Sequence, residues 1–200
     1  KTQPPHGVKH TLQVEAEKPF SGLTWLDAVT MLTRFSDLAL PRLNSKNVRI
    51  MSDFERIRRR LDERLAPPHS LQIEAARIRQ AAVTLLLRDN PGAAELLIIK
   101  RAEREGDPWS GHLALPGGRA ESQDADLLVT AARETYEEVG VELFGENCFI
   151  GQLPLLKPNN PRLPQIEITP LVALAPAQLT IKLSEEVDDV LWLPVGQLKR

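Results

Sequence analysis

Three glutamates, Glu134, Glu137 and Glu138, crowd one narrow stretch of predicted helix, with Gly117-Gly118 before it and Gly140 after it. The spacing predicts a helix from about Asp124 to Val139, stopped by Gly140, a residue type favoured just past a helix end. At about 100° per residue, Glu138 falls near 40° and Glu137 near 300° from Glu134, so the carboxylates share one face. Leu128, Ala132, Thr135 and Val139 form a separate stripe, roughly 100° to 160° round, suited to docking on a sheet. A glutamate face is more often simply solvated, but here two local rules are broken. Glu134 and Glu138 are like charges at i,i+4. Glu137 and Glu138 sit in the last turn, where the helix dipole disfavours anions. Such a cluster calls for an external compensator, and carboxylates are the hard oxygen ligands that Mg²⁺ or Mn²⁺ prefers. Gly117-Gly118 lets the backbone turn sharply and approach a ligand closely. Amides of this loop and of the helix start could face an anion. Together these features suit a diphosphate with bound metal ions, which neutralise phosphate oxygens and lower the pKa of a bound water. Arg133, four residues before Glu137, can fix that carboxylate by an ion pair.

The surrounding pattern supplies a sheet for this helix. Ala81 to Leu87 and Glu95 to Lys100 read as two strands joined at the turn cluster Asp89-Asn90-Pro91-Gly92. Gly111–Leu115 reads as a third strand, broken by Pro116-Gly117-Gly118. Phe149–Leu156 and Ile166–Leu174 follow, split by a proline-rich loop, and Leu191-Trp192-Leu193 reads as the last strand before the opening of a helix at Pro194–Leu198. Strands and long helices do not alternate regularly, so the fold class is α+β with a mixed sheet. Upstream, Phe54, Ile57, Leu61 and Leu65 share one helical face, Ser52 and Glu55 have capping-box spacing, and Pro67-Pro68 ends the helix. Residues 1–50 carry little periodicity beyond a candidate helix at Trp25 to Leu40. The expected organisation is an extension over 1–50, an amphipathic helix over 51–68 and a catalytic domain over 69–200, with a protein starting at Met51 expected to fold.

Charge and cysteine content narrow the partners. A formal net charge of -2 disfavours nonspecific nucleic-acid and membrane binding, which call for a basic surface. It does not disfavour an anionic small molecule held through metal ions. The single Cys148 excludes an internal disulfide and a cysteine zinc site and suits a reducing compartment. No apolar run is long enough to span a bilayer, and the N-terminus lacks a secretory layout. The expected location is cytoplasmic; a homodimer is left open.

The segment RETYEEVGV resembles the second half of the Nudix box, a glycine, five residues, a glutamate, seven residues, then R-E-U-x-E-E-x-G-U, where U is bulky and apolar. Arg133, Glu134, Glu137, Glu138 and Gly140 are in place, with Thr135 at the first bulky position. Gly118 to Arg133 is one residue longer than the standard spacing, and Asp124 falls six after Gly118, where the early glutamate is absent. This longer spacing, with the lead-in LLIIKRAEREGDPWSGHLALPGG, is similar to the coenzyme A pyrophosphatase branch, although Trp109 stands where that branch usually has histidine. QIEITPLVALAP and EEVDDVLWLPVGQL are similar to later family segments, so the resemblance covers about Ala81 to Leu198. It implies a Nudix-type α/β/α sandwich and a metal-dependent diphosphatase acting on a nucleoside diphosphate derivative, coenzyme A or its derivatives being one candidate. Oxidised nucleotides, dinucleotides or nucleotide sugars are alternatives, as is a non-catalytic nucleotide-binding regulator on the same fold.

The same resemblance implies residue roles. Glu134 and Glu138 are the principal metal ligands, Glu137 is a further ligand or water-orienting base, and the Gly118 carbonyl completes the site. Glu137 and Arg133 are the catalytic candidates; Gly117, Arg119, Arg101 and Trp109 are the substrate-binding candidates. His112 reads as structural before it reads as a base, and Trp109 as a loop anchor before a stacking platform. Lys157 and Arg162, beside Asn159-Asn160, read as a solvated loop, Cys148 as a small buried residue, and Arg58-Arg59-Arg60 as the wet face of the first helix. Family members usually continue past the position of Leu198, so a C-terminal truncation is expected, with an uncovered apolar surface near Trp192 and Leu198.

Overall fold

The computed structural model describes residues 52–65, 73, 79–91, 93–106, 109–143, 148–158 and 165–197. The extension 1–50, the candidate helix at Trp25 to Leu40, Pro67-Pro68, Asn159-Asn160, Arg162 and Leu198 lie outside them.

The first helix, α1 (Asp53–Arg64), begins as its sequence predicts. The Ser52 side chain accepts from the Glu55 amide at 3.1 Å, and the Glu55 carboxylate accepts from the Ser52 amide at 2.9 Å. Two of the four orphan amides of the first turn are satisfied in this way. Arg58 and Arg59 stay on the wet face, Arg59 paired with Glu63 at 3.2 Å.

The sheet has seven strands: β1 (Arg79–Asn90), β2 (Ala93–Arg101), β3 (Leu113–Ala114), β4 (Gly117–Arg119), β5 (Phe149–Gln152), β6 (Ile166–Leu174) and β7 (Val187–Pro194). β1 is central. It runs parallel to β6 along its length, with Arg79 opposite Ile166 and Leu87 opposite Leu174. Its other edge is shared: β2 pairs with Leu87–Asn90, and β4 pairs with Ala81–Val83. β2 in turn pairs with β3 at Ile99–Lys100 and with β7 along its far edge. β1 and β2 thus splay apart, and the short strands β3 and β4 fill the gap between them. The amide of Thr84 donates to the carbonyl of Pro116 at 2.7 Å, across the step between the two strands.

Both faces of this sheet are covered. Leu85, Leu87, Leu96 and Ile98 pack with Leu61 and Leu65 on the α1 side. Leu86, Leu97 and Ile99 face the other way, onto Ala132 and Val139 of the second helix, α2 (Leu127–Val139). Alternate residues of a strand point to opposite faces, and with both faces covered β1 reads as a nearly continuous apolar run. The α+β sandwich expected from the sequence is the fold observed.

Four sequence expectations are corrected. α2 begins at Leu127, not near Asp124, because the Asp126 carboxylate caps it by accepting from the Val129 amide at 2.9 Å. Gly117-Gly118 is not a loop but most of strand β4. The third strand shrinks to Leu113–Ala114, whereas the helix opening read at Pro194–Leu198 stands as a single 3-10 turn, Val195–Gln197. β5 ends at Gln152, leaving only a bridge from Leu156 to Ile168. Trp192 is half-buried on the α2 side, with the Arg88 guanidinium 4.0 Å from its ring centre. No helix among the described residues is long and apolar enough to cross a membrane.

Candidate active site

The site lies where α2 crosses β4. The helix is joined to the neighbouring strand β1 by hydroxyls. Thr135 Oγ1 lies 2.8 Å from Thr84 Oγ1 and 2.7 Å from the carbonyl oxygen of Ala131, and both threonines are fully buried. At the other end Gly140 takes φ +70°, closing the helix, and the backbone of Lys182 and Ser184 donates to the carbonyls of Val139 and Glu138. Two of the orphan carbonyls of the last turn are thereby paired. The helix is fixed at both ends of its carboxylate face.

Two of the three carboxylates reach the glycine strand. Glu138 is 4% exposed and accepts a hydrogen bond from the Gly117 amide at 2.9 Å. Burial pushes its carboxyl up to about 7, and the nearby charge of Glu134 adds to this, while the Gly117 amide and the Arg101 charge oppose it. Glu134 lies directly over Gly118: a Cβ at that glycine would be 2.5 Å from each carboxylate oxygen. Burial raises Glu134 above the usual carboxylate range, opposed by Arg133. Gly117, at φ +149°, is pressed against β1, where a Cβ would come within 2.6 Å of Val83 Cα. Glycine is required twice, once by the sheet and once by the carboxylate.

Glu137 does not join them. Its side chain is 56% exposed and turns to Arg133, whose Nη1 is 3.1 Å from it and 2.9 Å from Glu134. The expected convergence of three glutamates is therefore corrected to a pair, with Glu137 standing to one side across the arginine. Among the described residues no group of three His, Cys, Asp or Glu side chains is placed to hold an ion.

Arg133 is held from behind by Asp124, a residue to which sequence reasoning gave a position but no role. Nε and Nη2 donate to the two Asp124 oxygens at 3.0 Å each. The Asp124 side chain is only 1% exposed and also accepts from the Thr130 hydroxyl and the Glu121 amide, both at 2.9 Å. The Arg133 fork holds its carboxyl down at about 2, with burial opposing. Asp124 in turn holds the Arg133 guanidinium firmly protonated. The available signal was an aspartate six residues after Gly118, close to the missing glutamate. Of the substrate candidates, Gly117 touches Glu138, and Arg101, at the end of β2, acts on that carboxylate through its charge. Arg119 is exposed at the end of β4, its carbonyl accepting from Arg133 Nη2 at 3.1 Å. Trp109 is 40% exposed in the turn before β3. His112 is exposed, Lys157 pairs with Glu167 at 2.5 Å, and Cys148 packs against the α2-side core.

A carboxylate helix laid over a glycine strand, on a mixed sheet with a helix on each face, defines a class of domain. The chain belongs to the NUDIX domain family, which matches residues 78–200. An uncharacterized protein of Schizosaccharomyces pombe is 37% identical over 107 residues, 52% of this chain and 32% of its own length. The human mitochondrial coenzyme A diphosphatase NUDT8 is 33% identical over 127 residues, 62% of this chain and 51% of its own. The chain thus spans about half the length, or less, of these curated relatives. The crystal structure of a NUDIX hydrolase from Alicyclobacillus acidocaldarius shares the fold, with a TM-score of 0.50 at 20% identity over 62% of this chain and 82% of that one.

Proposed function

We propose that this chain hydrolyses the diphosphate linkage of a nucleoside diphosphate joined to a further group, with Mg²⁺ or Mn²⁺ as cofactor. The observation that carries this reading is the pair Glu134 and Glu138, withdrawn from water and set against glycine backbone. Both are driven toward their neutral forms by burial. A dication between them would offset that desolvation cost, and hard oxygen donors suit these two ions. Glu134 and Glu138 would hold the ion, with the Gly118 carbonyl as a further donor. When bound, the ion neutralises phosphate oxygens and acidifies a coordinated water.

The remaining roles fall to this chain's own groups. Gly117 lets β4 close on β1, and Gly118 lets the Glu134 carboxylate lie against the backbone. Arg101 and Arg119 supply positive charge for the diphosphate oxygens, and Trp109 offers an aromatic face to a base. Arg133 orients Glu134 and Glu137. Glu137, exposed and anchored at one oxygen, is the carboxylate best placed to take a proton from water.

Coenzyme A or a derivative is the proposed substrate, supported by the likeness to NUDT8 and by the longer spacing between Gly118 and Arg133. The products would be 4′-phosphopantetheine and adenosine 3′,5′-bisphosphate. The test is a panel of coenzyme A, oxidised nucleotides, dinucleotides and nucleotide sugars with each metal, products identified by mass spectrometry. Highest turnover on coenzyme A supports the reading. Preference for another member moves the substrate, and binding without turnover under either metal leaves a nucleotide-binding domain.

A further inference from the structure

The glutamates of the site share their space with an arginine. Nη1 of Arg133 lies 2.9 Å from Glu134 and 3.1 Å from Glu137, so one guanidinium nitrogen serves both carboxylates. An arginine can grip a carboxylate with two parallel N–H bonds, and such forks are the stronger form of the pair. A bidentate grip on Glu134 would neutralise a carboxylate that the proposed cation needs. Here that grip is prevented. The Nε–Nη2 edge, one of the two edges able to make a fork, is taken by Asp124 at 3.0 Å on each side, and Nη2 also donates to the Arg119 carbonyl at 3.1 Å. Asp124 is itself immobilised by Thr130 and the Glu121 amide, with almost no exposure to water.

We propose that Asp124 is a positioning residue of the carboxylate site. By holding the Nε–Nη2 edge of Arg133, it leaves a single nitrogen for Glu134 and Glu137 and keeps Glu134 available to a divalent cation. The inference rests on the metal reading above and adds to it a residue that need not touch either metal or substrate. Its local chemistry is consistent: Asp124 stands nine residues before Arg133, across the capped start of α2, and its short side chain ties the last residues of the loop to the helix. The site's net negative charge is then set by how much of one arginine reaches it.

The test is Mn²⁺ binding to the whole chain, read from the electron paramagnetic resonance signal of free Mn²⁺, with thermal melts to confirm folding. Asp124→Asn keeps the size and part of the hydrogen bonding but releases the arginine. Its affinity for Mn²⁺ is expected to fall about tenfold, the effect of one charge-assisted bond gained by the competitor. The double variant Asp124→Asn with Arg133→Gln removes the competitor, and its affinity is expected to return to within about threefold of the parent. A role of Asp124 in stability alone would give no such rescue. Thr130→Val, which loosens Asp124 without removing its charge, is expected to weaken binding by about twofold and serves if Asp124→Asn does not fold. Unchanged affinity in whichever of the two single variants folds, or a double variant as weak as Asp124→Asn, overturns the proposal. A parent chain that binds no Mn²⁺ instead removes the metal reading on which it stands.

Discussion

Gly118 lies beneath Glu134 so closely that the first carbon of any side chain would stand 2.5 Å from both carboxylate oxygens. Its neighbour Gly117 is confined by backbone instead, with Val83 Cα 2.6 Å from such a carbon and a φ of +149°. Two adjacent glycines therefore fail differently when replaced. Gly118→Ala meets the flexible end of a glutamate, which can swing away, so the fold should survive with a change in Tm of a few degrees. Glu134 would be displaced by about an ångström, and turnover should fall about 100-fold. Gly117→Ala meets the central strand and a conformation that L side chains rarely adopt, and should destabilise by about 2–4 kcal/mol. Thermal melts with single-turnover assays separate the two. Equal loss of stability in both variants would refute the distinction.

This pair also marks where sequence reasoning stopped. Much of the fold was legible because it depends on local chemistry: the Ser52–Glu55 capping box, the stop at Gly140 and the strand Ile166–Leu174 all stand where the pattern put them. Gly117-Gly118 was read as a breaker because glycine gives no periodic signal. What makes it a strand is β1 on one side and Glu134 above it, contacts that come from distant parts of the chain. The helical wheel placed three glutamates on one face but could not show that Arg133 projects between Glu134 and Glu137. Asp124 was visible only as a residue at a suggestive spacing, since pairing across a helix start depends on the loop's path.

Glu138→Gln should uncouple stability from function. Glutamine keeps the acceptor for the Gly117 amide and fills the same space, but carries no charge. Glu138 has its folded pKa raised to about 7, so in metal-free protein the fold prefers the protonated form. Protonation is favoured more in the folded than in the unfolded chain, and stability is therefore lost as pH rises from about 4.5 through 7. The loss is up to about 3 kcal/mol. The chelated variant should match the parent at pH 4 and exceed its Tm at pH 8, while losing most turnover with metal. A parent whose Tm does not fall relative to the variant over that range would contradict the assignment.

Glu137→Gln should behave otherwise. Its side chain is 56% exposed and pairs with Arg133 at 3.1 Å. Loss of its charge removes one exposed ion pair, worth about 0.2–1 kcal/mol, and should alter Mn²⁺ affinity by less than about threefold. Turnover is expected to fall further, by about 100-fold, if Glu137 takes the proton from water. Tight metal binding together with slow chemistry is the signature to seek. A variant that loses metal as completely as Glu138→Gln would return Glu137 to the ligand set.

The threonines between α2 and β1 give a prediction about coupling. Thr135 occupies a position that the family pattern fills with a bulky apolar residue, and its hydroxyl is buried with that of Thr84 at 2.8 Å. Three oxygens, Thr84 Oγ1, Thr135 Oγ1 and the Ala131 carbonyl oxygen, share the two hydroxyl protons. Replacing one threonine by valine preserves shape but leaves the other hydroxyl with a poorer choice of partners, at a cost of about 1 kcal/mol each. Replacing both removes two buried polar groups together, and their effects should not add: the double variant should be more stable than the sum by about 0.5–1 kcal/mol. Denaturant unfolding of the parent, both single variants and the double variant measures this coupling. The two residues join α2 to β1, Thr135 standing next to Glu134 on the helix, so a loosened clasp should also weaken Mn²⁺ binding in each single variant, and less so in the double. Strict additivity in stability would mean that the helix is held by apolar packing alone and that the hydroxyl pair contributes nothing to placing the carboxylates.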